Sequence, residues 1–383
     1  MSQFEERLVS LRHDLHRHPE LGFQETRTKQ VVADRLREIG VEVHEGVGVV
    51  GVLRLGTGNR AIGLRADMDA LPISEISTHG YVSTDDGVMH ACGHDGHTTM
   101  LLGAAERLVS EGGFDGTVVF LFQPDEEHGG GAKAMIKEGV LSQFEIDEVY
   151  AIHNLPGAPV GQVSSRTGMV CSSESLFEFT ITGQGGHSSM PHVGVEALTV
   201  GAELVLALQT IVSRKLAPDA GVVVSPTEFL TDGQRNVLPG QAVIKGDVRA
   251  RAPEHRAQVE GFMRQIAGGL AAAHGVDISV SFQTDFVETF NADGPTQAAY
   301  RAGEAAGCDV WRDRPAMSFS EDFAQFTAAV PGCFLMMGNG EDGPCGQPLH
   351  SADYDFNDAL LPIGAEFWVR LVQDRLPLRK DTE

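Results

Sequence analysis

A thiol and three imidazoles crowd into Met89-His90-Ala91-Cys92-Gly93-His94-Asp95-Gly96-His97, a glycine-punctuated loop ahead of a helical stretch. Cys92 and His94, two residues apart, can face one ion, because thiolate and imidazole are soft or borderline ligands for zinc-like metals. In Phe120-Leu121-Phe122-Gln123-Pro124-Asp125-Glu126-Glu127 an apolar strand ends in three carboxylates, a costly grouping unless positive charge sits there. The next apolar run, Val149-Tyr150-Ala151-Ile152, leads into His153-Asn154. In open α/β sheets the functional crevice lies outside the carboxyl ends of the strands, where these residues would be delivered. His350 falls in the Gly/Pro-rich loop EDGPCGQPLHS, a kind of segment that often carries function. Each segment alone has a plainer reading as solvated loop, exposed acidic turn or structural histidine. Together, Cys92, His94, Glu127, His153 and His350 exceed the four ligands of a closed structural zinc site and suit two divalent ions sharing one ligand, with positions open for water. Glu126 beside them supplies a base that can take a proton from water and return it to a leaving nitrogen.

The elements that must hold these residues are legible in the pattern. Up to about residue 170, strands such as AIGLRADMDAL, TVVFLFQ and EVYAIHN alternate with helices such as HTTMLLGAAERLV, which predicts an α/β layer with a largely buried sheet. From 174 to 290 the order is β-α-β-β-α-β, a ferredoxin-like α+β unit. The α/β character then resumes through the helix EDFAQFTAAV, the strand GCFLMMG and a final amphipathic helix. The expected architecture is a discontinuous metal-binding catalytic domain, 1–173 and 291–383, interrupted by a lid domain, 174–290.

Composition narrows the partners. The 383 residues carry 29 Lys+Arg against 53 Asp+Glu, a formal charge of −24, which excludes nucleic acid and anionic membrane as partners. The N-terminus has no signal-peptide pattern, and no stretch approaches the ~18 consecutive apolar residues of a membrane helix. Five dispersed cysteines without a C-x-x-C pair read as reduced thiols, so a cytoplasmic chain is expected.

The segments RADMDALP, MHACGHDGH, FQPDEE, IHN, GQGGHSSMPH, SEDF and PLHSADYDFND, with LHRHPELGF near the start, resemble the M20 metallopeptidases in their amidohydrolase subfamily over nearly the whole chain. The resemblance implies a zinc-peptidase-like mixed sheet flanked by helices with an inserted lid. It implies two divalent ions, Zn2+ or Mn2+ with Co2+ or Ni2+ as alternatives, held by Cys92, His94, Glu127, His153 and His350. Glu126 would be the general base and then acid. Asp67 and Asp69 would be outer residues that orient the ligands, with a solvated strand end as the plainer reading. In the lid, His187 would reach the substrate carbonyl in cis or across a dimer, while Asn236 and Arg249 resemble substrate contacts, Arg suiting a carboxylate by its bidentate fork. His192 is left open between substrate contact and structural partner. A homodimer through the lid is likewise implied.

Other features carry no chemistry in this reading. His13, His16 and His18 lie on an amphipathic helix before Pro19, so packing and surface roles rather than ligation are expected. Gly129-Gly130-Gly131 lacks the residues of a phosphate loop. Asp125, where a small residue is common in the subfamily, alters either the base or only the turn. The expected activity is hydrolysis of the amide of N-acyl amino acids. The alternatives are a dipeptidase or a deacetylase of an N-acetylated biosynthetic intermediate, and, outside enzymes, a small-molecule binder that would lack the base or a ligand.

Overall fold

The computed structural model describes residues 1–378; residues 379–383, the end of the expected 291–383 segment, lie outside the described residues. In chain order the elements are α1 (Gln3–Arg17), α2 (Thr26–Glu38), β1 (Glu42–Glu45), β2 (Val49–Leu55), β3 (Ala61–Asp67), α3 (His94–Glu111), β4 (Gly116–Gln123), α4 (Gly131–Lys137), α5 (Val140–Gln143) and β5 (Glu148–Pro156). There follow β6 (Val163–Ser164), β7 (Gly168–Cys171), β8 (Ser173–Thr182), β9 (Gly186–His187), α6 (Ala197–Thr210), β10 (Val223–Thr231), β11 (Val237–Leu238), β12 (Gln241–Ala250), α7 (Pro253–His274) and β13 (Asp277–Phe286). The chain closes with β14 (Thr289–Asn291), α8 (Asp293–Ala305), β15 (Val310–Trp311), α9 (Ala324–Ala329), β16 (Gly332–Gly340) and α10 (Leu360–Arg375). Two compact units result: Met1–Val170, Thr289–Ala316 and Asp322 onward form one, Cys171–Glu288 with Met317–Glu321 the other.

The first unit is built on a mixed eight-stranded sheet in the order β1-β2-β4-β3-β5-β16-β6-β15. Strands β3 and β4 are buried along their whole length, as their near-continuous apolar runs suggest. β3 runs parallel to both β4 and β5, with Asp67 opposite Gln123 and Arg65 opposite Ala151. The carboxyl ends of three adjacent strands therefore reach one edge, bringing Asp67, the Pro124–Glu127 turn and His153 to the same side. Helix α3 packs against α1 and α10, and α10 against α8, around fully buried Phe120, Phe122, Phe367 and Trp368. Each such side chain contributes roughly 1.5–3 kcal/mol by leaving water.

Helix α3 starts three residues earlier than its apolar pattern suggests, so His94 joins His97 in its first turn rather than standing in the loop. Gly93 makes that start possible. Its φ is +91°, and a Cβ there would lie 2.4 Å from Asn154 Oδ1 and 2.6 Å from Tyr354 Oη. Only glycine satisfies both conditions. The helix expected over EDFAQFTAAV contracts to α9, leaving Asp322 ahead of it.

The second unit has its own core around Phe177, Phe179, Ile181, Leu204, Val248 and Met263. Its antiparallel sheet runs β10-β12-β8-β13, with α6 and α7 packed on it, which is the ferredoxin-like strand order for β8-α6-β10-β12-α7-β13. The run Ala197–Lys215 is long and apolar enough to cross a membrane by length and composition. Its buried residues Ala197, Val200, Gly201, Leu204, Leu208 and Ile211 recur every three or four positions within that core, the pattern of an amphipathic core helix.

Candidate active site

Five side chains converge at the carboxyl edge of the large sheet. The buried Cys92 Sγ lies 3.4 Å from His153 Nε2, whose other nitrogen, Nδ1, donates to the Asn154 carbonyl at 2.8 Å. His94 Nδ1 donates to the Asp69 carbonyl at 2.9 Å and stands 3.1 Å from Asp69 Oδ1, so its Nε2 is turned to the centre. There it comes within 3.9 Å of Glu127 Oε1, which is also 3.4 Å from His350 Nε2. The ligand atoms fall into two overlapping groups, Cys92-His94-His153 and Cys92-Glu127-His350, each within 4.8 Å and both containing the thiol. Ligand atoms around a tetrahedral Zn2+ with bonds of 2.0–2.3 Å sit about 3.3–3.8 Å apart, close to what is seen here. Two atoms make the fit sharper: His94 Nε2 and Glu127 Oε1 are buried without a hydrogen-bond partner. Leaving such atoms unmet costs about 1–3 kcal/mol each, a cost a shared cation removes.

Glu126 is buried beside this group, in reach of His94 and Glu127, and accepts a long hydrogen bond from the Asp322 peptide N–H at 3.4 Å. The turn carrying both glutamates is tight: a Cβ on Gly131 would lie 1.6 Å from the Pro124 carbonyl oxygen. Asp125 takes a left-handed φ of +48° there, and its carboxylate pairs with His128 at 3.0 Å. Its part is therefore in the turn. His350 is also left-handed, with φ of +66°, and its N–H donates to the Ala91 carbonyl at 2.8 Å, tying the C-terminal loop to the Cys92 loop. Backbone strain of this kind gathers where the surroundings fix a functional side chain.

Charge at the site is arranged as a positive centre would require. Burial, then the carboxylates Glu127, Glu126 and Asp67, push the Cys92 thiol well above its ordinary value, so the sulfur keeps its proton until a cation arrives. Burial, with His97 and His94 nearby, drives His153 well below the usual imidazole range and keeps it neutral, the ligating form. Burial also opposes charge on His94, but Asp67, then Asp69 and Glu127, outweigh it and hold the imidazolium up to about 10. A cation held here would take the place of the protons on Cys92 and His94.

The two aspartates differ in what they touch. Asp69 orients His94 and also accepts the Glu127 N–H at 3.0 Å, so one carboxylate positions two ligand residues. Asp67 is gripped by Arg65 at 2.6 Å and by His97 Nδ1 at 2.7 Å. Burial would raise it, yet His94, Arg65 and His97 hold it well below the carboxylate range. His97, Arg65 and Asp322 were not singled out from the sequence. The i, i+3 spacing of His94 and His97 was a usable signal, since it sets both on one face of α3. Arg65 also pairs with Asp322 at 3.0 Å across 257 positions, a contact no local pattern announces.

His187, Asn236 and Arg249 belong to the second unit. His187, on β9, is exposed, its Nδ1 accepting from Ser189 Oγ at 2.8 Å. Asn236 is exposed beside it, where its carbonyl accepts the Ser188 N–H at 3.2 Å. Arg249 has all three guanidinium nitrogens engaged, by Asp247 at 2.9 Å, Ser320 at 2.8 Å and Glu174 at 3.0 Å. His192 is exposed in a turn of 3-10 helix.

Residues 63–374 match peptidase family M20/M25/M40. The chain is 39% identical over 368 residues to hippurate hydrolase of Campylobacter jejuni subsp. jejuni, covering 94% of each protein. It is 35% identical over 376 residues to IAA-amino acid hydrolase ILR1-like 5 of Arabidopsis thaliana, covering 95% of this chain and 85% of that one. Among solved structures, Bacillus subtilis YXEP protein, a dinuclear metal binding peptidase from the M20 family, superposes with a TM-score of 0.86 at 30% identity, covering 98% of this chain and 99% of that one.

Proposed function

The chain belongs to peptidase family M20/M25/M40, and from that premise we propose that it is a dinuclear metal-dependent amidohydrolase that splits N-acyl amino acids into a carboxylic acid and a free amino acid. The observation that carries the reading is the pair of ligand groups sharing Cys92, with the buried Glu126 carboxylate against them. The named substrates of the two relatives above, hippurate and IAA-amino acids, both join an acyl group to an amino acid through an amide.

In this reading Cys92, His94, Glu127, His153 and His350 hold two divalent ions. Thiolate and imidazole favour Zn2+, while Mn2+, Co2+ or Ni2+ fit the same donors where they are the available metal. When bound, such ions polarise the amide carbonyl and acidify a water. Glu126 takes the proton of the attacking water and hands it to the leaving nitrogen, which departs as an amine. The Asp322 N–H steadies the carboxylate for both transfers. Asp69 fixes His94 and Glu127, and Asp67 with His97 backs the cluster. His187 and Asn236 are assigned to substrate, His187 to the carbonyl oxygen. Arg249, already balanced by two carboxylates, is assigned to holding its own strands.

We further assign a homodimer formed through the second unit. Val223, Phe229 and Leu230 on edge strand β10 and Leu198 and Leu206 on α6 are exposed apolar side chains there. A cytoplasmic location suits five dispersed cysteines with no C-x-x-C pair. The test of the activity is a panel of N-benzoyl, N-acetyl, N-lauroyl and indole-acetyl amino acids, with dipeptides as controls, assayed after metal loading. Turnover of at least one N-acyl amino acid above the dipeptides is expected; turnover of none overturns the assignment.

A further inference from the structure

A second cluster of ligand-type side chains lies in the same unit, outside the site just described. His16 on α1 and Glu75 and His79 in the connection between β3 and α3 bring three ligand atoms within 4.8 Å of one another. His16 Nε2 is 3.3 Å and His79 Nε2 3.1 Å from one oxygen, Glu75 Oε1. These separations match the roughly 3.3 Å edges of a tetrahedral shell with bonds near 2.05 Å. We propose that His16, Glu75 and His79 form a third divalent-cation site, of the two-histidine, one-carboxylate class that takes Zn2+ with water in the remaining position.

Three observations carry this beyond proximity. His79 has neither ring nitrogen hydrogen-bonded, and its approach to Glu75 does not have hydrogen-bond geometry. An imidazole held largely out of water with both nitrogens unmet forfeits hydrogen bonds that a cation on its lone pair replaces. His16 is completely buried and its other nitrogen, Nδ1, sits 2.9 Å from Asp95 Oδ2, the carboxylate-histidine arrangement that orients a metal ligand. Glu75 is fixed by the Ser83 N–H on its second oxygen at 2.7 Å, and His79 is stacked on Tyr81 with ring centroids 3.8 Å apart. His90, 1% exposed with both nitrogens unmet, lies next to His16. Arg12 stands close by, surrounded by Asp95, Asp355 and Asp358, and Arg17 is held on the Gly80 carbonyl at 2.6 Å. Zn2+ entering past the partly exposed His79 displaces the proton between His16 Nε2 and Glu75. It ties α1 to the connection that ends in the Cys92 loop.

Zinc per chain is measured by mass spectrometry on the full-length protein after saturation with Zn2+ and gel filtration, for wild type, His79→Gln and Glu75→Gln. The first variant removes no hydrogen bond of the folded protein and the second keeps the side-chain shape. Each variant is expected to hold one ion fewer than wild type, to lose the third ion's share of the Zn2+-dependent rise in Tm, and to retain turnover. The lost ion's Kd is expected to rise at least about a hundredfold. Equal zinc in wild type and both variants overturns the proposal. Because the readout is a difference, failure of the catalytic pair to load would lower all three proteins alike and stay distinguishable.

Discussion

Asp69 is the residue on which the ligand geometry turns. It receives His94 through both its carbonyl and its carboxylate, and its second oxygen holds the Glu127 N–H. Asp69→Asn keeps the shape but loses the charge that faces His94 and puts an amide donor against one of the two groups it now accepts. Metal affinity is expected to fall about 10–100-fold, read by competition with a chromophoric chelator; unchanged affinity would remove Asp69 from the account. The proposed ligand set is suggested by residue types, and the structure gathers it: Cys92, His94, Glu127, His153 and His350 stand out because thiols, imidazoles and carboxylates at strand ends have few cheap explanations. Their supports were not readable. His97 looks in sequence like one more histidine where the loop meets the helix, and nothing local announces its partner Asp67, 30 positions away. The same holds for His16, whose acidic partners Glu75 and Asp95 come from 59 and 79 positions away.

At the scale of elements, the catalytic turn after β4 is tied to the entry of α2. Glu25, the residue that precedes α2, is 1% exposed and accepts the Asp125 N–H at 2.8 Å, while its other oxygen is buried without a partner. Burial, then the nearby Asp69 and Asp125, raise its pKa from 4.5 to about 7. An acid raised in this way keeps in the folded state a proton that the unfolded chain has released. Stability is therefore full below about pH 4.5 and declines until the folded group ionises near 7, a loss on the order of 3 kcal/mol. Glu25→Gln can still accept the Asp125 N–H and has nothing to ionise. Chemical denaturation should find the variant more stable than wild type at pH 8.5 by up to about 3 kcal/mol, with that advantage gone at pH 4.5; a pH-independent difference would contradict the assignment. Strands β3, β4 and β5 were legible from near-continuous apolar runs. Helices α2 and α8 were not, because their buried faces hold few large apolar residues, Val32 and Leu36 in one and mainly Ala298, Ala299, Ala302 and Gly303 in the other, although tertiary packing holds both.

Across the whole molecule, the formal charge of −24 coexists with a site built to gather cations. The buried carboxylates Asp67, Asp69 and Glu126 and the partly buried Glu127 set a local potential that bound metals would reverse, so a net charge that argues against nucleic acid does not argue against a carboxylate substrate. The two cores were legible as a change of pattern near residue 174, from buried parallel strands to alternating ones such as β8, where every second residue is buried. The return of Met317–Glu321 to the second unit was not, since five residues carry no periodicity. Exposed Leu230 on β10 and Leu206 on α6 make the second unit the proposed dimer surface. Leu230→Lys with Leu206→Glu is expected to convert a dimer of 41.0 kDa chains to monomer in light scattering, leaving metal content unchanged. A dimer that persists would place the interface elsewhere.

The central claim is that Glu126 moves the proton while its neighbours hold the metals, and Glu126→Gln separates the two tasks. Turnover of the best N-acyl amino acid and metal per chain are measured on the same metal-loaded sample. The expected result is a fall in kcat of about 10²–10⁴-fold at unchanged metal content. Retained turnover at full metal content would contradict the account.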